Sequence, residues 1–547
     1  MKASSYQLRK KKLQAKHAFV IKKNHREGTL LSELSSPAAK ASVSRLHWSA
    51  NRPSEQAHQL FLQIDELLQA GTPDELLAAV DSLKTLFVQA NNERDMEATK
   101  LFYEAVRDYE FHLLCRLLTP GMCEKIQIKA VGIFVEIAYS KYARLIVTSE
   151  DALEKIIVAL HASNKAIRLR SVGCIANLAV EENFREYLLS KPRVMTGLIN
   201  NLELNHKTIQ DAALVMICCD TCWAVNNLIS LESSAGFAKI QPFLHPLVQV
   251  LALMEQCLVV DKTQLYFSIR YGVRALEKGF DMARRENIAC SLLHNKLLIH
   301  FLSGCVRYRR DAKTRDIAIT AMNCMRHFAL KEFADENFVT DVTKTLNEER
   351  QLRSGAVDFL SSWSIAVASM IRNGLSEQMS AHIVTRLANG ISSLTDTKWS
   401  WPHELRTKAC EAMAVLGASL RNPDHVRAFW VSKGGLCLVT ALKLESETAV
   451  HLQALAALHH LIPENPSQTS SFLLPRSELQ EKIIAAVEQI LEHPNDVTHA
   501  AATAVSMKLE ALKNWENEEA PCVELMEAKI VLPSTKRRRV ELGAYNA

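Results

Sequence analysis

At 547 residues, with no Pro/Gly/Ser-rich linker dividing it, the chain reads as one repetitive architecture and not as three or four separate globular domains. Glycine is 17 of 547, about 3% against a usual level of roughly 7%, and proline is scarce at 15, so turns are few and the composition is helical. The net charge of +5, the 48% apolar share and the 6% aromatic share exclude a largely disordered chain and favour stacked helices over a sandwich of strands.

The first element is a basic segment. Residues 1–30 hold nine Lys and Arg (Lys2, Arg9, Lys10, Lys11, Lys12, Lys16, Lys22, Lys23 and Arg26) against Glu27 alone. It lacks the apolar stretch of a secretory signal, and the thirteen cysteines follow no spaced framework, so a reducing compartment and free thiols are expected.

From about Glu75 onward a shorter apolar pattern, a polar break and a longer Ala/Leu-rich pattern alternate. Ala152–His161 with Lys165–Glu181 is one pair, and Met195–Leu204 with Thr208–Leu231 is the next. The series continues through Phe243–Cys257 with Lys262–Phe280, Leu297–Val306 with Thr314–Leu330, and Val339–Leu346 with Leu352–Ala368. Ile383–Leu394 with Glu404–Leu420, Leu436–Leu442 with Ala449–Leu461, and Leu479–Leu491 with Val497–Leu512 complete it. Each is apolar at i, i+3, i+4 and i+7 on more than one side, as a helix sandwiched between neighbours must be. The pattern predicts an all-α, right-handed α-solenoid of about nine armadillo-type repeats over residues 55–515, with flexible basic tails at 1–50 and 516–547. Asn177 and Asn227 occupy matching places 50 residues apart, more than the roughly 40–47 of such repeats, so inserted turns are expected.

No apolar run reaches the 18 or so residues that span a bilayer; the nearest, Ala212–Ile229, is interrupted by Asp220, Asn226 and Asn227, so no membrane partner is expected. The chain ends in a second basic cluster, Lys536, Arg537, Arg538 and Arg539. It reads either as the chain's own nuclear-localisation signal or as a solvated tail. The two ends leave the body between them at −6, which argues against nucleic acid, because a solenoid that binds phosphates should carry its basic stripe along the repeats.

One family resemblance emerges. The segment Cys222-Trp223-Ala224-Val225-Asn226-Asn227-Leu228 resembles the Trp-x-x-x-Asn element of the importin alpha family, and residues four apart share one helix face. The resemblance implies a concave groove in which tryptophan stacks beneath a cargo lysine's stem while asparagine bonds the cargo backbone. A lysine stem can lie on an indole while its ammonium reaches acidic groups beyond. In the preceding repeat Asn177 holds the asparagine place, with Glu181 and Glu182 a turn later as partners for a basic peptide, but Gly173 stands where tryptophan would be; the following repeat offers Tyr271 and Ala275. At the amino terminus, Gln7-Leu8-Arg9-Lys10-Lys11-Lys12 with Ile21-Lys22-Lys23-Asn24 is similar to the family's importin-beta-binding segment, with a longer spacing and no preceding arginine run. The resemblance implies an importin-beta carrier held by Leu8, Arg9, Lys10, Lys11, Lys12, Lys22 and Lys23, cargo proteins with basic localisation peptides, and shuttling between cytoplasm and nucleus. It covers most of the chain in architecture and is motif-specific only at residues 8–24 and around 177 and 227.

No catalytic residue, cofactor or metal is expected, since phosphate-binding, dinucleotide, nucleophile-elbow and zincin motifs are missing. The Cys-x-x-Cys spacing within Cys218, Cys219 and Cys222 has no second ligand pair and reads as small core residues. His294, His459 and His460 have no neighbouring carboxylate or nucleophile motif. Trp363, Trp399, Trp401, Trp430 and Trp515 lack an asparagine four residues on, so core or loop packing is expected; Trp223 reads equally as groove or as filler between repeats. Two functions follow, a nuclear import adaptor or an armadillo scaffold for dedicated partners, and the loss of most Trp/Asn pairs favours the second.

Overall fold

A computed structural model describes residues 52–92, 96–106, 109–230, 236–257, 263–307, 312–333, 356–375, 377, 379–395, 401–444, 448–464, 477–492 and 496–518. All regular structure among them is helical, and it forms two compact units divided between Leu114 and Cys115.

In the first unit α1 (Arg52–Ala70), α2 (Pro73–Asn92) and α3 (Met96–Ala105) pack together. Thr72-Pro73-Asp74-Glu75 starts α2 as a reciprocal cap: the Thr72 amide donates to Glu75 Oε2 at 3.0 Å and the Glu75 amide to Thr72 Oγ1 at 3.4 Å, with proline at the first turn where its missing N–H costs nothing. Phe87, Phe102 and Tyr103 meet edge to face in the core, and Tyr103 Oη donates to Asn91 Oδ1 at 2.7 Å. The short α4 (Tyr109–Arg116) runs across the division.

The second unit begins with α5 (Glu124–Tyr139), α6 (Arg144–Thr148), α7 (Glu150–Leu160), α8 (Lys165–Leu178), α9 (Glu182–Leu189), α10 (Pro192–Asn201) and α11 (Ala212–Leu228). Then come α12 (Phe237–Cys257), α13 (Thr263–Arg285), α14 (Lys296–Arg307), α15 (Ala312–Met325), α16 (Ala356–Asn373) and α17 (Ala381–Thr395). It closes with α18 (His403–Ser419), α19 (Pro423–Val431), α20 (Gly434–Leu442), α21 (Thr448–Leu461), α22 (Ser477–Glu492) and α23 (Asp496–Glu518). The long helices α5, α8, α11, α13, α15, α16, α18, α21 and α23 each pack on the next, forming one layer; α7, α10, α12, α14, α17, α20 and α22 form a second, in which successive members touch much less. Closer spacing in one layer than in the other bends a stack toward the closer layer, so the long helices line the inside of the curve.

The sandwiched position of the inner helices explains their all-round apolar character. In α8 every residue from Ser171 to Ala176 is buried, because α5, α11 and α7 cover three sides. Their starts are capped and laced together. Asn164 Oδ1 accepts from the amides of Ala166 and Ile167 while its amide donates to Glu124 Oε2 at 2.7 Å; Asp211 caps α11 and accepts from Lys165 Nζ at 2.5 Å. Gly272 and Gly279, seven apart on one face of α13, let α12 approach closely: a Cβ there would lie 2.5 and 2.8 Å from the side chains of Leu251 and Leu244.

The named pairs foresaw most helices from α7 onward; α1 to α5 precede the first pair, the short α6, α9 and α19 were not foreseen, and the Val339–Leu346 pattern lies outside the described residues. Contrary to the hydropathy expectation, one helix is long and apolar enough to cross a membrane, Phe237–Gln256 in α12, although 61% of its most apolar window is buried. Its apolar side packs against α13 and α14, while Gln241, Pro242, His245 and Gln249 face outward, where water reaches the carbonyls that the prolines leave unbonded. Trp363, fully buried in α16, anchors the middle of the stack. Trp363→Ala should lower stability by about 3–5 kcal/mol, the usual range for deleting a buried Trp or Phe side chain. Urea unfolding followed by circular dichroism should show a lower midpoint at an unchanged slope.

Candidate peptide-binding groove

Each inner helix leaves a thin strip uncovered. On α11 that strip is Asp220, Trp223 and Asn227, all half-buried, while Cys218, Thr221, Cys222, Ala224, Val225 and Leu228 around them are buried. Spacings of three and four place the three on one face. On α8 the half-buried Asn177 occupies the corresponding strip.

The asparagines already have structural duties. Asn227 Nδ2 donates to the Ala176 carbonyl at 3.0 Å and Asn177 Nδ2 to the Val135 carbonyl at 3.4 Å, each tying the end of its own helix to the end of the preceding inner helix. Lys278 Nζ does the same for the Asn226 carbonyl at 2.5 Å. Farther along, Asn373 Nδ2 donates to the Arg326 and Phe328 carbonyls at 3.0 and 3.1 Å, His460 Nε2 bonds the Leu420 carbonyl at 2.5 Å, and Lys508 Nζ donates to the carbonyls of His459 and Ile462 at 2.8 and 3.2 Å. Ala176, Asn226 and His459 lie in the last turns of their helices, where carbonyls have no partner within the helix, and these side chains supply one. A carboxamide carries two N–H groups, so the Asn227 amide keeps a second for a ligand.

This shared duty aligns the repeats through Asn177, Asn227 and Lys278. Four residues before each stand Gly173, Trp223 and Arg274. Tyr271, the counterpart expected from sequence, is only 6% exposed and belongs to the core, where burial pushes its hydroxyl above the ordinary tyrosine range. Gly173 is itself buried, and outside its own helix a Cβ there would meet only Asp220 Oδ2, at 3.9 Å.

The next strip is charged. Arg274 Nη2 donates to both Asp316 oxygens at 3.2 and 3.0 Å, and the Arg270 guanidinium bonds the same carboxylate. Burial and the adjacent Arg274 charge hold Arg270 below the ordinary arginine range. One turn on, burial raises Glu277 above the ordinary glutamate range, outweighing Arg326. Burial also works against the Asp281 carboxylate, but hydrogen bonds from His327 and Arg326, the latter at 2.6 Å, prevail and hold it below the ordinary range.

Glu181 is exposed and lies beyond the end of α8, capping position for α9, so it does not share the strip of Asn177. Cys218, Cys219 and Cys222 sit within α11; burial drives the thiols of Cys218 and Cys219 upward and Ser268 Oγ donates to Cys219 Sγ. No cluster of three or more metal-binding side chains occurs among the described residues. Folding gives His294 a carboxylate that sequence did not, Glu332 at 3.3 Å, on an imidazole 74% exposed. Trp401 and Trp430 are buried like Trp363; Trp399 and the side chain of Trp515 lie outside the described residues. So do Leu8, Arg9, Lys10, Lys11, Lys12, Lys22 and Lys23, and Lys536, Arg537, Arg538 and Arg539.

Among solved structures, an engineered protein is similar at 13% identity, covering 83% of this chain and 99% of its own, with a TM-score of 0.53. A structure from work on a phosphorylation switch between cadherin and beta-catenin is similar at 14% identity, over 82% of this chain and 80% of its own, also at 0.53. The chain is an all-α solenoid of armadillo type. A designed armadillo repeat protein matches half of the chain, at 15% identity and a TM-score of 0.35. No family model and no curated protein matches the sequence.

Two measurements probe this solenoid's inner edge. Asn227→Ala should cost about 1 kcal/mol in chemical denaturation, the usual net worth of one intramolecular hydrogen bond. Glu277→Gln should raise the melting temperature at pH 7. The raised pKa means that the folded state holds the Glu277 proton more tightly than the unfolded state, so stability is lost as pH rises through the carboxylate range. Glutamine mimics the protonated form, and the gain should fade as pH falls to roughly 4.

Proposed function

We propose that the chain is a protein-interaction adaptor whose inner face holds an extended peptide across α8 and α11, and that it serves nuclear import by carrying cargo with basic localisation peptides to an importin-beta carrier. The observation that carries the reading is the placement of Trp223 on one uncovered strip with Asp220 and Asn227. An indole with a carboxylate one turn away suits a lysine stem and its ammonium. Trp223 is therefore read as a groove residue, supported by its half-buried position while Trp363, Trp401 and Trp430 are buried. In this reading the basic segment holding Leu8, Arg9, Lys10, Lys11, Lys12, Lys22 and Lys23 binds the carrier, the chain moves between cytoplasm and nucleus, and no catalysis or cofactor is involved.

A second reading, a scaffold for a few dedicated partners without general cargo reading, is favoured by a separate observation. The amides of Asn177 and Asn227 are each partly engaged by a neighbouring helix, and Trp223 has no tryptophan counterpart in either adjacent repeat. The similar beta-catenin structure, whose title describes an interaction with cadherin, is compatible with both.

Purified importin beta should be retained by the full chain and released when Arg9, Lys10, Lys11, Lys12, Lys22 and Lys23 are all changed to alanine. Retention of neither form leaves the scaffold reading. Separately, Trp223→Ala should weaken binding of a fluorescent lysine-containing peptide about tenfold in anisotropy titrations, the scale of a desolvated cation–π contact; an unchanged affinity removes Trp223 from the groove.

A further inference from the structure

We infer that the segment 523–532, which lies outside the described residues, folds back along α23 and covers an apolar row that this last inner helix presents to water.

α23 has no successor among the described residues, whereas every inner helix before it packs on a following one. It packs on α21 and α22, and Thr498, Ala502, Val505, Leu509 and Leu512 form its buried row. Ala500, Ala504, Met507 and Ala511 follow the same spacing of three and four on the opposite face, and none of them is buried. Met507 is 66% exposed. Polar side chains take the flank between the two rows, at His499, Thr503, Ser506, Glu510 and Lys513. A helix apolar on two opposite sides is built to be sandwiched, as α8 is, and here one side has a neighbour and the other does not. The alanines allow a second backbone to approach closely, and Met507 supplies the large contact.

The chain carries a matching neighbour. Past Glu518 a short stretch holding Pro521 leads into Val523-Glu524-Leu525-Met526-Glu527-Ala528-Lys529-Ile530-Val531-Leu532, the most apolar run after α23, which Pro533 closes. Val523, Met526 and Ile530 are spaced by three and four, as one helix face requires. The prolines stand where a helix start and a helix stop favour them. Residues 519–522 make a turn of ordinary length between antiparallel helices. Ten helical residues advance about 15 Å, and the path from Glu518 back to Met507 is about 17 Å, so the segment reaches Ala511 and Met507. A second copy of the chain is the competing occupant. The tethered segment prevails because a short linker gives it an effective concentration of roughly millimolar. The basic cluster of Lys536, Arg537, Arg538 and Arg539 lies past Pro533 and stays clear of the docked stretch.

Trypsin tests this on the full chain, since Lys529 lies inside the segment and the basic cluster beyond it. Cleavage is followed by mass spectrometry, with each rate divided by that of the same bond in a free peptide of residues 519–540. The bond after Lys529 should be protected at least about tenfold relative to those of the cluster, because cleavage needs a locally opened chain. Met507→Asp should raise the Lys529 rate at least about tenfold, the effect of losing one methionine-sized apolar contact. Met507→Leu and Thr503→Asp, the latter on the polar flank, should leave it unchanged. Met526→Asp should raise it as Met507→Asp does, and the double variant no further. Met507 is largely exposed on the solenoid, so the variants keep the fold, which circular dichroism checks. Equal protection of Lys529 and the cluster overturns the inference, as does protection indifferent to Met507→Asp. Protection lost on dilution, with a dimer in sedimentation at higher concentration, assigns the row to a second copy and overturns it equally.

Discussion

The organisation of the second unit rests on side chains that reach sideways from one inner helix to carbonyls at or near the end of the helix before it. Asn177, Asn227, Lys278, Asn373, His460 and Lys508 all do this, with different chemical groups for the same task. Apolar packing alone holds stacked helices together without fixing how far one may slide along the next, because dispersion and hydrophobic burial are non-directional. A directed bond at six of the eight boundaries between inner helices removes that freedom there. Because it satisfies carbonyls that helix geometry leaves unpaired, it does so at little cost to either helix.

That constraint also decides what the inner face can offer a partner. The residue that performs the bond is held at the edge of the uncovered strip, and the residue one turn earlier is held beside it, facing outward. Trp223 and Arg274 owe their positions to Asn227 and Lys278 respectively. Under the proposed reading, a ligand would meet side chains whose places are set by the packing of the scaffold. The crossed charges of α13 and α15, Arg270 and Arg274 on Asp316 at one end and Asp281 on Arg326 and His327 at the other, fix the register of that pair in a second way.

The fold was legible in sequence because its signal is redundant: many helices repeat the same two-sided apolar pattern, and scarce glycine and proline leave few other structures open. The short helices α6, α9 and α19 were not, since one or two turns give too little periodicity to register. Trp223 and Asn227 were legible as a pair on one face. The role of Asn227 toward Ala176 was not, because that contact spans 51 residues and depends on how two helices meet. Tyr271 was named as the counterpart of Trp223, but the sideways bond of Lys278 aligns Arg274 with it instead, a match that only the shared bonding role reveals. Likewise Glu181 reads as a continuation of α8 until the helix is seen to end at Leu178.

The sideways bonds lie on the inner edge of the curve and the looser contacts on the outer edge, and this gives the solenoid an unequal mechanical response. Straightening it lengthens the inner edge and must stretch every one of those directed bonds at once, whereas curling it further asks only that loosely touching outer helices part slightly more. The second unit should thus behave as a spring that resists extension more than closure, and a partner lying along the inner face would find a molecule already predisposed to tighten around it.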